Sequence, residues 1–125
     1  MSARYAVGMG CSTAAPAADV GAWAALVLAA HGIPLDGVEC VATIDAKAHE
    51  PAMAALGLPV RAFPAAALRA VAVPTPSAVV EAAVGTPSVA EAAALLAAGR
   101  GAELVVPKQR CATATLAVAR LAAGS

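Results

Sequence analysis

Several times along its length the chain changes from a short β-branched run to a long alanine-rich one, with glycine or proline at nearly every changeover. β-Branched runs favour strands and alanine runs favour helices. Their regular exchange is the pattern of an α/β domain, in which helices cover a sheet. "RYAVGMG", residues 4–10, reads as a short buried strand ending in glycines. Residues 16–32 read as a helix with Pro16 at the start and Gly32 at the end, and Val20, Trp23, Ala24, Val27 and Leu28 recur along it with helical spacing. Val38–Ile44 is a second strand. Residues 50–57 are a short helix with Pro51 just inside it, residues 58–63 a third strand, and residues 64–71 a further helical turn or two.

In residues 73–99, "PTPS" and "GTPS" each set a helix starter before an alanine-rich run. Ser77 with Glu81 and Ser88 with Glu91 are capping candidates, and only the second has the three-residue spacing of a capping box. The chain closes with "ELVVP" (103–107), the link "KQR", and "CATATLAVARL" (111–121). Two β-rich segments joined by a polar link predict an antiparallel hairpin, and the alternation of Thr113 and Thr115 with Ala114, Leu116 and Val118 fits an end or edge strand. The expected fold is one α/β domain over residues 1–125, with a mostly parallel sheet and an antiparallel C-terminal strand pair.

Composition excludes several functions. The only aromatic residues are Tyr5, Trp23 and Phe63, and net charge is zero, so there is neither a stacking platform nor a basic field for nucleic acid or anionic lipid. Mean hydropathy of +0.79 raises the question of a membrane. The longest strongly apolar run, residues 20–30, stops at His31 and falls short of the roughly 20 residues a span requires. The N-terminus makes a poor signal peptide and is expected to stay in the mature chain. Cys11, Cys40 and Cys111 are widely spaced with no CxxC, which reads as reduced cytosolic thiols, two of them buried. A cytoplasmic protein with no metal and no cofactor is expected.

The scarce polar chemistry falls after the strands. Gly8, Gly10, Cys11, Ser12 and Thr13 follow the first; Asp45, Lys47, His49 and Glu50 follow the second, which ends in Thr43-Ile44; Lys108, Gln109 and Arg110 follow "ELVV". Ligands of open α/β sheets bind beyond the carboxyl ends of the strands. Parallel strands would bring the three clusters, and both lysines, to one rim. Each piece has a plainer reading. "GMGC" also serves as a tight strand-to-helix turn and lacks the third glycine of a dinucleotide fingerprint. Asp45 also serves as a cap with Lys47 paired to it on the surface. His49 also serves as a solvated loop residue, and Lys108 and Arg110 as hairpin-turn charges. Functionally, the helix start with Ser12 and Thr13 offers N–H and O–H groups to an anion, the three cations can clamp carboxylates, and His49 can carry a proton. Composition and spacing reach a soluble α/β domain with a small anion-friendly rim.

Taken in order, "GMGC", "ATIDAKAHEP", "GTPSVAEAAAL" and "VPKQRCATATLAVAR" resemble the CobE/CbiG C-terminal domain family of cobalamin biosynthesis over nearly the whole chain. The resemblance implies a three-layer α/β/α domain that works on corrin-ring intermediates. By position in the family blocks it carries over Gly8, Gly10, Cys11, Thr43, Asp45, Lys47, Glu50, Ser88, Glu91, Lys108 and Thr115. Family members often have a basic residue after the cysteine, where this chain has "CSTAA"; His49 inherits no role. The longer CbiG proteins resemble lactone hydrolases that release acetaldehyde from a cobalt-precorrin. Without their extra N-terminal segments, this chain looks like the stand-alone CobE form. Three readings follow. In the first, the chain binds or channels a precorrin- or hydrogenobyrinate-type intermediate, with Lys47, Lys108 and Arg110 on its carboxylates. In the second it is a lactone or C–C hydrolase, with Asp45 or Glu50 as general base and a lysine at the oxyanion. In the third it is a non-catalytic subunit docking on another enzyme of the pathway.

Overall fold

The computed structural model describes residues 3–71 and 88–123. Strands β1 (Tyr5–Cys11), β2 (Val38–Ile44), β3 (Val60–Phe63), β4 (Glu103–Arg110) and β5 (Ala114–Arg120) form one sheet in the order β3-β2-β1-β5-β4. β2 pairs parallel with both β1 and β3, whereas β5 pairs antiparallel with both β1 and β4. The sheet is therefore mixed: two parallel and two antiparallel pairings replace the mostly parallel sheet expected. Because β5 reverses direction twice over, β4 runs the same way as β1 and β2. The carboxyl ends of all three reach one rim, as the sequence predicts.

The strands are short, and the central ones, β1, β2 and β5, carry buried residues on both faces because helices lie on both. α1 (Ala17–Ala30) buries Val20, Ala24 and Leu28, four residues apart, in a cluster with Val7, Met9, Val41, Leu116 and Val118. It ends where the N–H of Gly32 (φ +69) reaches Ala29 O and that of Ile33 reaches Leu28 O, a Schellman closure with Ile33 and Leu28 in the same cluster. The other face of the sheet, reached by the alternate residues Ala6, Ala42, Ile44 and Ala119, is covered by α2 (Ala65–Arg69) and α3 (Val89–Ala98) through Leu68, Ala93, Ala94 and Ala98. Packing here is alanine on alanine and glycine. A Cβ at Gly8 would lie 1.9 Å from Ala90 O and 2.7 Å from Ala94 N, so α3 rests on the bare backbone of β1.

Three local expectations change. Residues 50–57 form a 3₁₀ turn, Pro51–Ala54, in place of a helix. "KQR" belongs to β4, and the chain reverses at residues 111–113. β5 lies inside the sheet between β1 and β4 and is no edge strand; Ala114 and Leu116 through Ala119 are all buried. Ser88 caps α3 as expected, its Oγ accepting the N–H of Glu91 at 3.4 Å. The Ser77–Glu81 cap lies outside the described residues. Of the three free cysteines only Cys40 is buried, where two were expected; Cys11 and Cys111 are half-buried.

Candidate functional site

A cleft of about 540 Å³ opens across the rim. β1 contributes Gly10 and Cys11, followed by Ser12. The end of β2 contributes Ile44, and the 3₁₀ turn Asp45–Lys47 behind it contributes Lys47. Lys108 and Arg110 come from β4, and Cys111 through Thr115 from the reversal into β5. Ser88 and Val89 bring the N-terminus of α3 to the wall, where the helix dipole favours an anion. Three cations thus face the cleft, and among the described residues no carboxylate lines it.

Of the residues singled out from sequence, Gly10, Cys11, Ser12, Lys47, Ser88, Lys108, Arg110 and Thr115 meet at the cleft. Gly10 leaves room for the Thr115 hydroxyl, whose Oγ1 would lie 3.0 Å from a Cβ there. Gly8, Thr13, Thr43, Asp45, Glu50 and Glu91 do not line it. Gly8 packs against α3. Thr13 stands beside the cleft, where its Oγ1 accepts from Lys47 Nζ at 2.9 Å. Lys47 therefore turns to the loop after β1 and forms no ion pair with Asp45, which is exposed. Thr43, fully buried, donates to Met9 O. Glu50 is 7% exposed and its Oε1 accepts the Ala14 N–H at 2.9 Å. His49 Nε2 stands 3.9 Å from Glu50 Oε2 with its ring largely in solvent.

Cys111 and Thr113 are cleft residues that the sequence reading missed, because it set the turn at "KQR". The signal was present: three residues without charge, "CAT", between a polar cluster and a strand. Burial pushes the Cys11 thiol above its ordinary value of 9.0; the Glu50 carboxylate adds to the rise and the Lys47 ammonium opposes it. Cys11 is accordingly a neutral thiol at pH 7 and a poor nucleophile.

The fold and the cleft define a small α/β domain with a ligand-sized opening at its strand ends, the position such sheets reserve for ligands. More particularly, the chain belongs to the cobalamin synthesis G C-terminus family, which matches residues 5–119. It is 41% identical over 123 residues to Protein CobE of Sinorhizobium sp, a match covering 94% of this chain and 80% of that one. The crystal structure of CobE, a protein from the cobalamin biosynthetic pathway, superposes with a TM-score of 0.84 at 33% identity, covering 97% of this chain and 96% of that one. Cobalamin biosynthesis protein chiG from Agrobacterium tumefaciens str. C58 follows at a TM-score of 0.71 and 30% identity, with 94% and 98% covered. These likenesses set the chain among the proteins of cobalamin biosynthesis.

Proposed function

We propose that the chain binds a carboxylate-bearing corrin-ring intermediate in the rim cleft and holds it for other enzymes of the pathway. One observation carries the reading: three cations and a helix N-terminus face a mostly apolar cleft that no described carboxylate enters. A corrin intermediate is an apolar macrocycle fringed with acetates and propionates. An Ala-, Val- and Ile-lined wall suits the ring, and Lys47, Lys108 and Arg110 suit the fringe. The cleft volume falls within the roughly 300–1,000 Å³ of small-molecule sites. The hydrolytic alternative needs a general base within reach of the ligand. Glu50 is turned inward onto the Ala14 amide and Asp45 stands outside the cleft, so neither supports it.

Titration with metal-free hydrogenobyrinic acid, followed by absorbance and by mass analysis of the recovered ligand, tests the reading. Saturable binding with the ligand returned intact is the expected result. A ligand returned with added water or a lost fragment would make the chain an enzyme, and absence of binding would leave the docking subunit as the better reading.

A further inference from the structure

We propose that Glu50 and Glu91 are positioning residues, each fixing one wall of the cleft through a backbone amide without touching the ligand. The inference rests on the corrinoid reading of the cleft. Among the described residues these are the only two charged side chains that are buried, at 7% and 0% exposure. A buried carboxylate is costly unless it is well bonded, and each of these accepts an N–H from a segment that shapes the cleft.

Glu50 Oε1 accepts the Ala14 N–H at 2.9 Å. Ala14 has φ +60, a conformation an alanine disfavours, and it is the one described non-glycine residue with positive φ. The same loop puts Ser12 on the cleft and gives Lys47 its hydroxyl partner, Thr13. On the other side Glu91, in the first turn of α3, accepts the Lys108 N–H on Oε2 at 2.9 Å. Lys108 lies where the β4–β5 register shifts between Val106 and Gln109, so the carboxylate takes an amide at an interruption of the ladder. The start of α3 favours the negative charge. Glu91 thereby sets the backbone from which Lys108 reaches the cleft.

The test uses the full chain with Glu91→Gln, Glu91→Ala, Lys108→Ala and the double variant Glu91→Ala/Lys108→Ala, and Glu50→Gln and Glu50→Ala in parallel. Two readouts are taken: hydrogen exchange at the Lys108 and Ala14 amides, and Kd for hydrogenobyrinic acid. Glutamine keeps an acceptor oxygen and alanine does not. Expected are a Kd within about threefold of wild type for each glutamine variant and about tenfold weaker for each alanine variant. Amide protection at the partner residue is lost in the alanine variants alone. With Lys108 already alanine, Glu91→Ala should cost less than about twofold more, because the two act as one unit. A merely structural glutamate would lower the melting temperature and leave Kd unmoved. Should an alanine variant fail to fold, Glu91→Asp and Glu50→Asp, one methylene too short, carry the same expectations. Unchanged protection of Lys108 in Glu91→Ala, or an undiminished Glu91→Ala loss in the Lys108→Ala background, overturns the proposal. If wild type itself binds nothing, the corrinoid reading falls and the amide exchange alone decides whether the glutamates fix the walls.

Discussion

Thr43 Oγ1 donates to the carbonyl of Met9 at 2.7 Å, one step past the last ladder pair between β1 and β2, Gly8 with Ala42. Beyond that pair the two strands part company. β1 follows β5 as far as Cys11 with Ala114, and β2 follows β3 as far as Ile44 with Phe63. The threonine hydroxyl stands in for the missing ladder bond at the fork, and the loops that flank the cleft spread from there. A β-branched residue that is also a donor suits this buried strand end, since valine would fill the same space and leave the Met9 carbonyl without that bond.

Thr43→Val should therefore destabilise the fold by about 1–3 kcal/mol, the cost of a buried acceptor deprived of its partner. Thr43→Ser should recover most of the loss. Urea unfolding checks this: the midpoint falls for valine while the slope stays the same.

Gly8→Ala should be far more damaging than Gly10→Ala. The new Cβ at Gly8 meets backbone of α3 at 1.9 Å, and a helix backbone has no rotamer with which to escape. A cost of about 3 kcal/mol or more is expected, or failure to fold. At Gly10 the nearest atom is the Thr115 hydroxyl at 3.0 Å, which can rotate. Comparing the two variants by thermal melting separates the glycine that packs a helix from the glycine that opens the cleft.

That contrast marks the limit of what the sequence told. β2 was legible to the residue because "VECVATI" is β-branched and bounded on both sides. α1 was legible because Val20, Ala24 and Leu28 keep a helical stride and Gly32 ends it. The rim was legible because polar residues are rare in this chain and cluster after strands. β5 was not: its Thr/Ala alternation mimics a half-exposed strand, while the residues that bury its second face, Ala94 and Ala98 of α3, are remote in sequence. Gly8 and Gly10 look alike in "GMG", and only the approach of α3 assigns them different work. Glu50 read as a candidate general base and Glu91 as the capping-box partner of Ser88, because nothing local shows a carboxylate accepting a backbone amide 36 or 17 residues away.

The cations give a graded expectation. Lys47→Ala and Lys108→Ala should each weaken binding of hydrogenobyrinic acid about three- to tenfold and flatten its dependence on salt, since a charge-assisted contact at a half-exposed site is worth about 1 kcal/mol and is screened. Asp45→Asn should leave Kd unchanged, because Asp45 is exposed and off the cleft. Affinity that rises with the loss of either lysine would mean that the ligand carries no carboxylate to those positions.

The thiols predict how stability depends on pH. Burial pushes Cys40 above its ordinary value of 9.0, with Arg61 opposing the rise, and Cys11 is raised as well. A thiol is charged when it loses its proton, so a raised value means that the folded chain holds protons the unfolded chain gives up. Stability is then full below about pH 8.5–9, where both states are protonated, and declines as pH rises from the unfolded value through the folded one. Tyrosine and lysine titrate in the same alkaline range, so the measurement is a difference: melting temperature from pH 7 to 10.5 for wild type against Cys40→Ala. The variant should lose a little stability at pH 7, where a small buried side chain has been trimmed, and the gap should close as pH rises past 9. A gap that stays constant across the range would mean that the Cys40 thiol ionises as readily in the folded chain as in the unfolded one, and that the guanidinium of Arg61 offsets burial.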